Sequence, residues 1–240
     1  MTGRVPRPIE LRGTHTAGGH DDTMSSIVTR RRWIERSPHW LRVASIASIA
    51  LAVAVVLHPA PLPGEIGYIR RMQALGSPVP GLAKFVRATT STEASLIVML
   101  PGAFWAVRRH ARRGVLAIVI SLATMLAVQP LVKELIDRPR PDSSQVEVRA
   151  EHTSMSFPSG HSMSTATVWG AAALTAWQCE RRRYAVVAAT PVVLTGLSSG
   201  IQGVHWPTDA VAGTALGAVA AWAIAVTLTP AGAPDGDLSE

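Results

Sequence analysis

Residues 210–229 read AVAGTALGAVAAWAIAVTLT, and no charged side chain interrupts them. A helix of about 20 apolar residues is long enough to cross the hydrocarbon core of a bilayer. Five further apolar segments precede it, at 40–57, 93–107, 114–132, 162–178 and 184–200. Because lipid offers the backbone no hydrogen-bond partners, segments that cross it as single spans must be helical. The sequence therefore predicts an all-α fold, a bundle of six transmembrane helices.

The composition agrees with a membrane protein. Charged residues are only 16% of the chain, whereas about a quarter is usual, and the mean hydropathy is +0.23. In a soluble protein the net charge of +7 would suggest binding to nucleic acid. Here the arginines flank the apolar segments, which is how membrane orientation is encoded. We therefore expect membrane lipids as partners and no nucleic acid.

The arginine clusters also predict the orientation of the spans. All three fall on one side if the six spans are real, and the positive-inside rule makes that side cytoplasmic. Both termini are then cytoplasmic, and the loops at 58–92, 133–161 and 201–209 face outward. The clusters are Arg30, Arg31, Arg32, Arg36 and Arg42; Arg108, Arg109, Arg112 and Arg113; and Arg181, Arg182 and Arg183.

The segments outside the bundle have their own character. Residues 1–29 and 231–240 are predicted to be disordered tails, the first one cytoplasmic, around a membrane domain at 30–230. In the outer loop 58–92, apolar residues recur at helical spacing on either side of Pro78 and Pro80, which predicts two short helices on the membrane surface. Cys179 is the only cysteine, so no internal disulfide can form.

The first polar group is the stretch 133–141, KELIDRPRP, which follows the third span. Lys133 and Arg140 are seven residues apart, two turns on one face while the helix lasts. Both side chains could therefore point at one target. A basic pair at a membrane edge also serves commonly as a lipid-headgroup anchor, and the stretch alone does not separate the two uses.

The second group is Phe157–His161, directly before the fourth span. Free backbone N–H groups and the helix dipole bind anions at a helix start. Gly160 lets the backbone approach an anion closely, Ser159 adds a hydroxyl donor, and His161 is placed as a proton donor. An ordinary helix cap with an incidental histidine is the alternative reading.

The third group is His205-Trp206-Pro207-Thr208-Asp209, between the fifth and sixth spans. Pro207 prevents a continuous helix, so a local turn must bring His205 and Asp209 together. A carboxylate that accepts from one imidazole nitrogen raises the basicity of the other, which makes His205 a candidate nucleophile. The alternative is an interfacial histidine beside a helix-capping aspartate.

Together the three groups favour chemistry on phosphate. They offer two cations, an anion-binding helix start, an acid and a nucleophile, which is what phosphoryl transfer requires. A metal site is the competing use of the histidines and Asp209. Lys133 and Arg140 would repel a divalent cation, so we expect neither a metal nor another cofactor.

These motifs resemble those of the type 2 phosphatidic acid phosphatase family, integral-membrane lipid phosphatases related to vanadium haloperoxidases. The family pattern is Lys-x6-Arg-Pro, Pro-Ser-Gly-His and Ser-Arg-x5-His-x3-Asp, and the resemblance covers residues 40–229. It implies that His205 attacks phosphorus, that Asp209 supports it and that His161 protonates the leaving oxygen. The implied phosphate ligands are Lys133, Arg140, Ser159 and Gly160.

One motif residue departs from the pattern. Ser199 stands where the third motif has arginine, so the phosphate clamp lacks a cation. Arg138 and Arg149 are candidates to replace it, and restoring the charge with Ser199→Arg is expected to raise activity. The departure also motivates an alternative function, a protein that binds lipid phosphate without catalysis.

The resemblance implies an extracytoplasmic active site in a bacterial plasma membrane, and a substrate among lipid phosphates. A polyprenyl diphosphate is the first expectation, and phosphatidic acid or phosphatidylglycerophosphate the second. A lipid phosphotransferase, which passes the phosphoryl group to an acceptor other than water, is a further alternative. The sequence indicates no oligomeric state.

Overall fold

A computed structural model describes residues 39–58, 61–108, 112–150, 152–178 and 181–228. Within these ranges all regular structure is helical and there is no strand, which confirms the predicted all-α class. The tails predicted at 1–29 and 231–240 lie outside the described residues, as does Cys179. The helices are α1 His39–Leu57, α2 Glu65–Gly76, α3 Pro80–Thr89, α4 Thr92–Arg108, α5 Arg112–Ala123, α6 Gln129–Ile136, α7 Gly160–Gln178, α8 Arg182–Gln202 and α9 Pro207–Leu228.

Each predicted apolar segment lies in a helix, but the helices differ in length and hydropathy. Among the described residues, three are long and apolar enough to cross a membrane, at 114–136, 182–202 and 207–227, and a shorter apolar helix covers 41–57. The chain is therefore an integral membrane protein. The count of six spans stays a prediction.

Helices α2 and α3 lie in the loop 58–92, where two short helices were expected. In α3 the side chains of Leu82 and Phe85 are exposed, whereas Ala83, Val86 and Arg87 are buried. The helix thus has an apolar outer face and an inner face that carries a charge. Its location at a membrane surface stays a prediction.

The helix that leads to Lys133 is not uniform. Residues Thr124–Val128 form a wider π-helical turn between α5 and α6. Pro130 follows it, and a proline has no N–H to donate and collides with the carbonyl four residues earlier, here that of Leu126. A widened turn relieves that collision and rotates the residues beyond it, so it helps to set the direction of Lys133.

Helices α7 and α9 pack closely because two glycines lie between them. A Cβ on Gly213 would come within 2.4 Å of the carbonyl oxygen of Ser159, and one on Gly217 within 2.4 Å of that of Met163. Gly213 and Gly217 stand four residues apart on α9, so both close contacts lie on one face of that helix. This contact also fixes the start of α7, where the second motif lies.

Candidate active site

Lys133 and Arg140 converge on one loop. Lys133 Nζ donates to the carbonyl of Met155 at 2.8 Å, and Arg140 Nε donates to that of Ser154 at 2.7 Å. Both cations also reach the Ser154 hydroxyl, at 3.3 Å and 3.2 Å. Helix α6 ends at Ile136, and Asp137 has left-handed backbone (φ 51°), so the irregular segment after it brings Arg140 back to Lys133. The two cations thus contact the same loop, although they do not share a helix face, and a shared phosphate target stays a prediction.

The second motif forms the beginning of α7. Ser159 is fully buried, its N–H donates to the carbonyl of Asp209 at 3.0 Å, and its hydroxyl accepts from that of Ser162 at 3.2 Å. Gln129 Nε2 donates to the Pro158 carbonyl at 3.2 Å and would lie only 3.3 Å from a Cβ at position 160. Gly160 thus permits close packing on Gln129. These bonds join the second motif to the third.

His205 lies between Asp209 and Arg140. Its Nδ1 is 3.6 Å from Asp209 Oδ2, and its Nε2 is 3.3 Å from Arg140 Nη1. A guanidinium can only donate, so Nε2 must carry the lone pair and Nδ1 the proton. The lone pair of a buried imidazole therefore points toward Arg140, a phosphate-binding candidate, which is the arrangement that a nucleophile needs.

A buried network supports Asp209 from behind. Its carboxylate accepts from Arg138, from the Ser156 hydroxyl and from the Trp206 N–H at 2.9 Å. Arg138 also donates to Glu65 of α2 at 2.7 Å. Two buried carboxylates share this guanidinium, on the far side of His205 from Arg140.

The site is strongly electropositive on its open side. Burial, followed by the charges of Arg140, Arg87 and Lys133, lowers the pKa of His205 well below its ordinary value. Burial and then Arg140 lower the pKa of His152 to about 4. Burial also lowers the pKa of Arg140 itself to about 10. Cations that lower the pKa values of neighbouring histidines favour an anionic ligand between them.

The sequence did not indicate one cation of this site, Arg87. It lies in the last turn of α3 and is 6% exposed. Its Nη1 donates to Ser199 Oγ at 3.1 Å, and its Nη2 lies 3.5 Å from Nε2 of His152. Arg87 falls on the same helix face as Ala83, and this pattern was the available signal for its burial.

The two arginines that were candidates to replace the missing charge both contact carboxylates. Arg138 lies behind Asp209, bound to two carboxylates. Arg149 Nη2 pairs with the exposed Glu147 at 2.8 Å, whereas Arg149 Nη1 is buried. Arg138 therefore does not supply the third cation at Ser199, because both of its carboxylate partners lie behind His205. A role for Arg149 there stays a prediction.

A cavity borders the site at Arg140. Its volume is about 650 Å³, and His152 and Val204 are also among the residues that line it. His161, in the first turn of α7, is half-buried and close enough for its charge to act on His205. All the residues predicted for the site thus belong to one neighbourhood, and their roles stay predictions.

Comparison with known proteins agrees with the motifs. Residues 114–232 match the family model of the PAP2 superfamily. The chain is 36% identical over 124 residues to a decaprenylphosphoryl-5-phosphoribose phosphatase of Mycobacterium tuberculosis, covering 51% of this chain and 65% of the relative. It is 31% identical over 127 residues to phosphatidylglycerophosphatase B of Bacillus subtilis, covering 50% and 61%. It thus spans less than two thirds of the length of either relative.

The fold has a solved counterpart. It resembles the crystal structure of a transmembrane PAP2 type phosphatidylglycerolphosphate phosphatase from Bacillus subtilis, with a TM-score of 0.63. The similarity covers 75% of this chain and 91% of that one at 23% sequence identity. At this identity the likeness concerns the fold alone.

Proposed function

Because residues 114–232 of this chain match the PAP2 superfamily, we propose that it hydrolyses the phosphate or diphosphate ester of a membrane lipid through a phosphohistidine at His205. The observation that carries the proposal is the orientation of that imidazole. Its Nδ1 faces Asp209 and its Nε2 lone pair faces the cations. A nucleophile, its supporting carboxylate and the groups that stabilise phosphate are then in contact with one another.

In the first step, the Nε2 lone pair of His205 attacks phosphorus and the bond from phosphorus to the leaving oxygen breaks. Lys133 and Arg140 stabilise the charge on the other phosphate oxygens. His161 gives its proton to the leaving oxygen. The imidazolium that forms at His205 is stabilised by Asp209, whose carboxylate is held in place by Arg138.

In the second step, water attacks the phosphohistidine and the bond from phosphorus to Nε2 breaks. His161, now neutral, accepts the proton of the water, so both steps balance in charge and protons. Phosphate leaves, and His205 returns to its neutral form. The residues present accomplish this without a metal, since cationic side chains already supply the positive charge.

The proton on His161 depends on the substrate. His161 precedes the predicted span 162–178, and burial followed by the charge of Arg87 lowers the pKa of its imidazole to about 3. A bound phosphate dianion offsets the surrounding cations and raises this pKa again. His161 therefore becomes protonated when the substrate is bound, so that it can donate a proton to the leaving oxygen.

For the substrate, a polyprenyl diphosphate or another polyprenyl-linked phosphate is the first proposal. One relative is a phosphatase of decaprenylphosphoryl-5-phosphoribose and another is a phosphatidylglycerophosphatase, so both lipid classes occur among similar proteins. Phosphatidic acid and phosphatidylglycerophosphate are the alternatives.

For the topology, we propose six spans, with the termini cytoplasmic and the site on the extracytoplasmic side. The site residues lie around the start of α7, and Arg181–Arg183 follow the end of that helix, which is about 28 Å long at 19 residues. The arginine clusters and the site thus belong to opposite helix ends. Helices α2 and α3 would then lie at the outer surface, beside the entrance.

Phosphate release from a lipid panel by the purified full chain tests the function. His205→Ala and His161→Ala should each abolish most of the turnover on the preferred lipid, with Lys84→Ala as the control on an exposed lysine. A phosphorylated acceptor without free phosphate would identify a phosphotransferase. No turnover on any lipid, or none lost in the histidine variants, would reject the catalytic proposal.

A further inference from the structure

Arg87 is a buried cation without a carboxylate partner in the part of the chain that the structure describes. Its guanidinium contacts the hydroxyl of Ser199 at 3.1 Å and the imidazole of His152 at 3.5 Å, and none of the ion pairs among the described residues includes it. Burying an unpaired charge is costly. A cation is retained in such a position when an anion completes its surroundings.

The anion that Arg87 could meet is the one that the site binds. Burial and then the charge of Arg140 lower the pKa of Arg87 to about 10, and Arg87 in turn lowers the pKa values of His152 and His205. These groups are therefore near enough for their charges to interact. Arg87 belongs to α3, whereas Arg140 belongs to the segment after α6 and His205 to the turn between α8 and α9.

Ser199 has a small side chain, which leaves room for the guanidinium of Arg87 from α3. It is 1% exposed, its hydroxyl donates to the Thr195 carbonyl at 2.9 Å, and it accepts from Arg87 Nη1. An arginine at position 199 would bring a second guanidinium next to that of Arg87. A small side chain that accepts a hydrogen bond leaves this space to Arg87 and orients its guanidinium.

We propose that Arg87 is the third phosphate-binding cation of this site, supplied by α3 in place of an arginine at position 199, with Ser199 as its positioning residue. The inference rests on the proposed function, since it concerns the phosphate of that substrate. The site then has three phosphate-binding cations, and the third comes from α3 instead of α8. The expectation for Ser199→Arg also reverses, because that change adds a like charge beside Arg87.

The test compares Arg87→Ser, Ser199→Arg and the double variant Arg87→Ser/Ser199→Arg in the full-length protein. Two readouts are measured, the dissociation constant of inorganic phosphate and the KM and kcat of the preferred lipid. Removing a charge-assisted hydrogen bond weakens phosphate binding about 10- to 100-fold, so Arg87→Ser should do this. Ser199→Arg alone should also weaken turnover, and the double variant should recover at least about tenfold over Arg87→Ser.

Controls separate binding from folding. Lys84→Ala removes an exposed positive charge from the same helix and should change neither readout. Arg87→Lys should retain part of the phosphate affinity, because it keeps the charge but loses the planar donor fork. The proposal fails if Arg87→Ser binds phosphate as wild type does. It also fails if the double variant is no better than Arg87→Ser, since Arg87 would then be a packing residue.

The two proposals fail in different ways. If the wild-type protein binds phosphate through Arg87 but hydrolyses no lipid, the function is wrong and the assignment of Arg87 stands. If lipid hydrolysis depends on His205 while neither KM nor phosphate affinity responds to Arg87→Ser, the function stands and the assignment of Arg87 is wrong.

Discussion

The guanidinium of Arg138 is hydrogen bonded to the carboxylate of Asp209, and both side chains are completely buried. Arg138 is therefore a support of the proposed catalytic pair rather than a phosphate ligand. Its second partner, Glu65, extends the support to α2, because the Glu65 carboxylate also accepts from the Leu62 N–H at 2.7 Å and the Thr208 hydroxyl at 2.6 Å.

Arg138→Ala should strongly destabilise the fold. It leaves two buried carboxylates without their cation, which typically costs about 3–5 kcal/mol. The matched control is Arg149→Ala, which removes an exposed pair with Glu147 and should cost less than about 1 kcal/mol. Thermal unfolding of the purified variants in detergent measures the difference. Equal midpoints for the two variants would contradict the supporting role of Arg138.

Gly213→Ala should reduce turnover more than it affects the amount of folded protein. The added Cβ meets the Ser159 carbonyl at 2.4 Å and displaces the start of α7, where His161 lies. A displacement of about 1 Å at a site can reduce the rate about 100-fold. Gly196→Ala is the control, since a Cβ there has no neighbour within 4 Å. If both glycine variants keep wild-type kcat, the α7 start does not need this contact.

The pH profile should reflect the lowered pKa of His205. The nucleophile must be neutral, and a pKa below its ordinary value keeps it neutral as the pH falls through 6.5. Activity is then lost only at lower pH. The charged and titratable groups around His205 are Arg140, Arg87, Lys133, His161 and Asp209.

Arg87→Ala removes one of the charges that oppose protonation of His205, so the pKa rises and the acid limb of kcat/KM should move to higher pH. Wild type and variant are compared on the same lipid, so the ionisation of the substrate cancels. Lys84→Ala should leave the limb in place. A limb that stays in place in Arg87→Ala would show that Arg87 does not act on the nucleophile.

The proposed orientation can be tested with the single native cysteine. Cys179 precedes the Arg181–Arg183 cluster, so a membrane-impermeant maleimide should label it only after permeabilisation. Ser143→Cys in a Cys179→Ser background places a thiol on the exposed loop beside Arg140 and should be labelled in intact cells. The opposite pattern would invert the topology.

What the sequence predicted was mainly local. Apolar runs predicted the helices, and Pro207 predicted the turn that brings His205 and Asp209 together. Each of these depends on residues a few positions apart, where helix geometry and backbone sterics decide the outcome.

The contacts that the sequence did not predict join residues far apart in the chain. Arg87 meets Ser199 across 112 positions, and Arg138 meets Glu65 across 73. No spacing rule connects such pairs, because they depend on how α2 and α3 pack against the other helices. In the sequence, Ser199 in place of the motif arginine therefore indicated a loss of charge. In the structure, Arg87 lies beside that serine.

Helix α3 carries an exposed apolar side chain and a buried cation two residues apart. Phe85, on its outer face, is 64% exposed, and Arg87, two residues later, is 6% exposed and directed to the site. If the outer face contacts hydrocarbon, the phosphate is bound less than one helix diameter, about 10 Å, from the acyl region. Lipids should then be selected by the length of the polar segment between chain and phosphate, and a phosphate joined directly to the chain should be preferred over one carried on a long polar spacer.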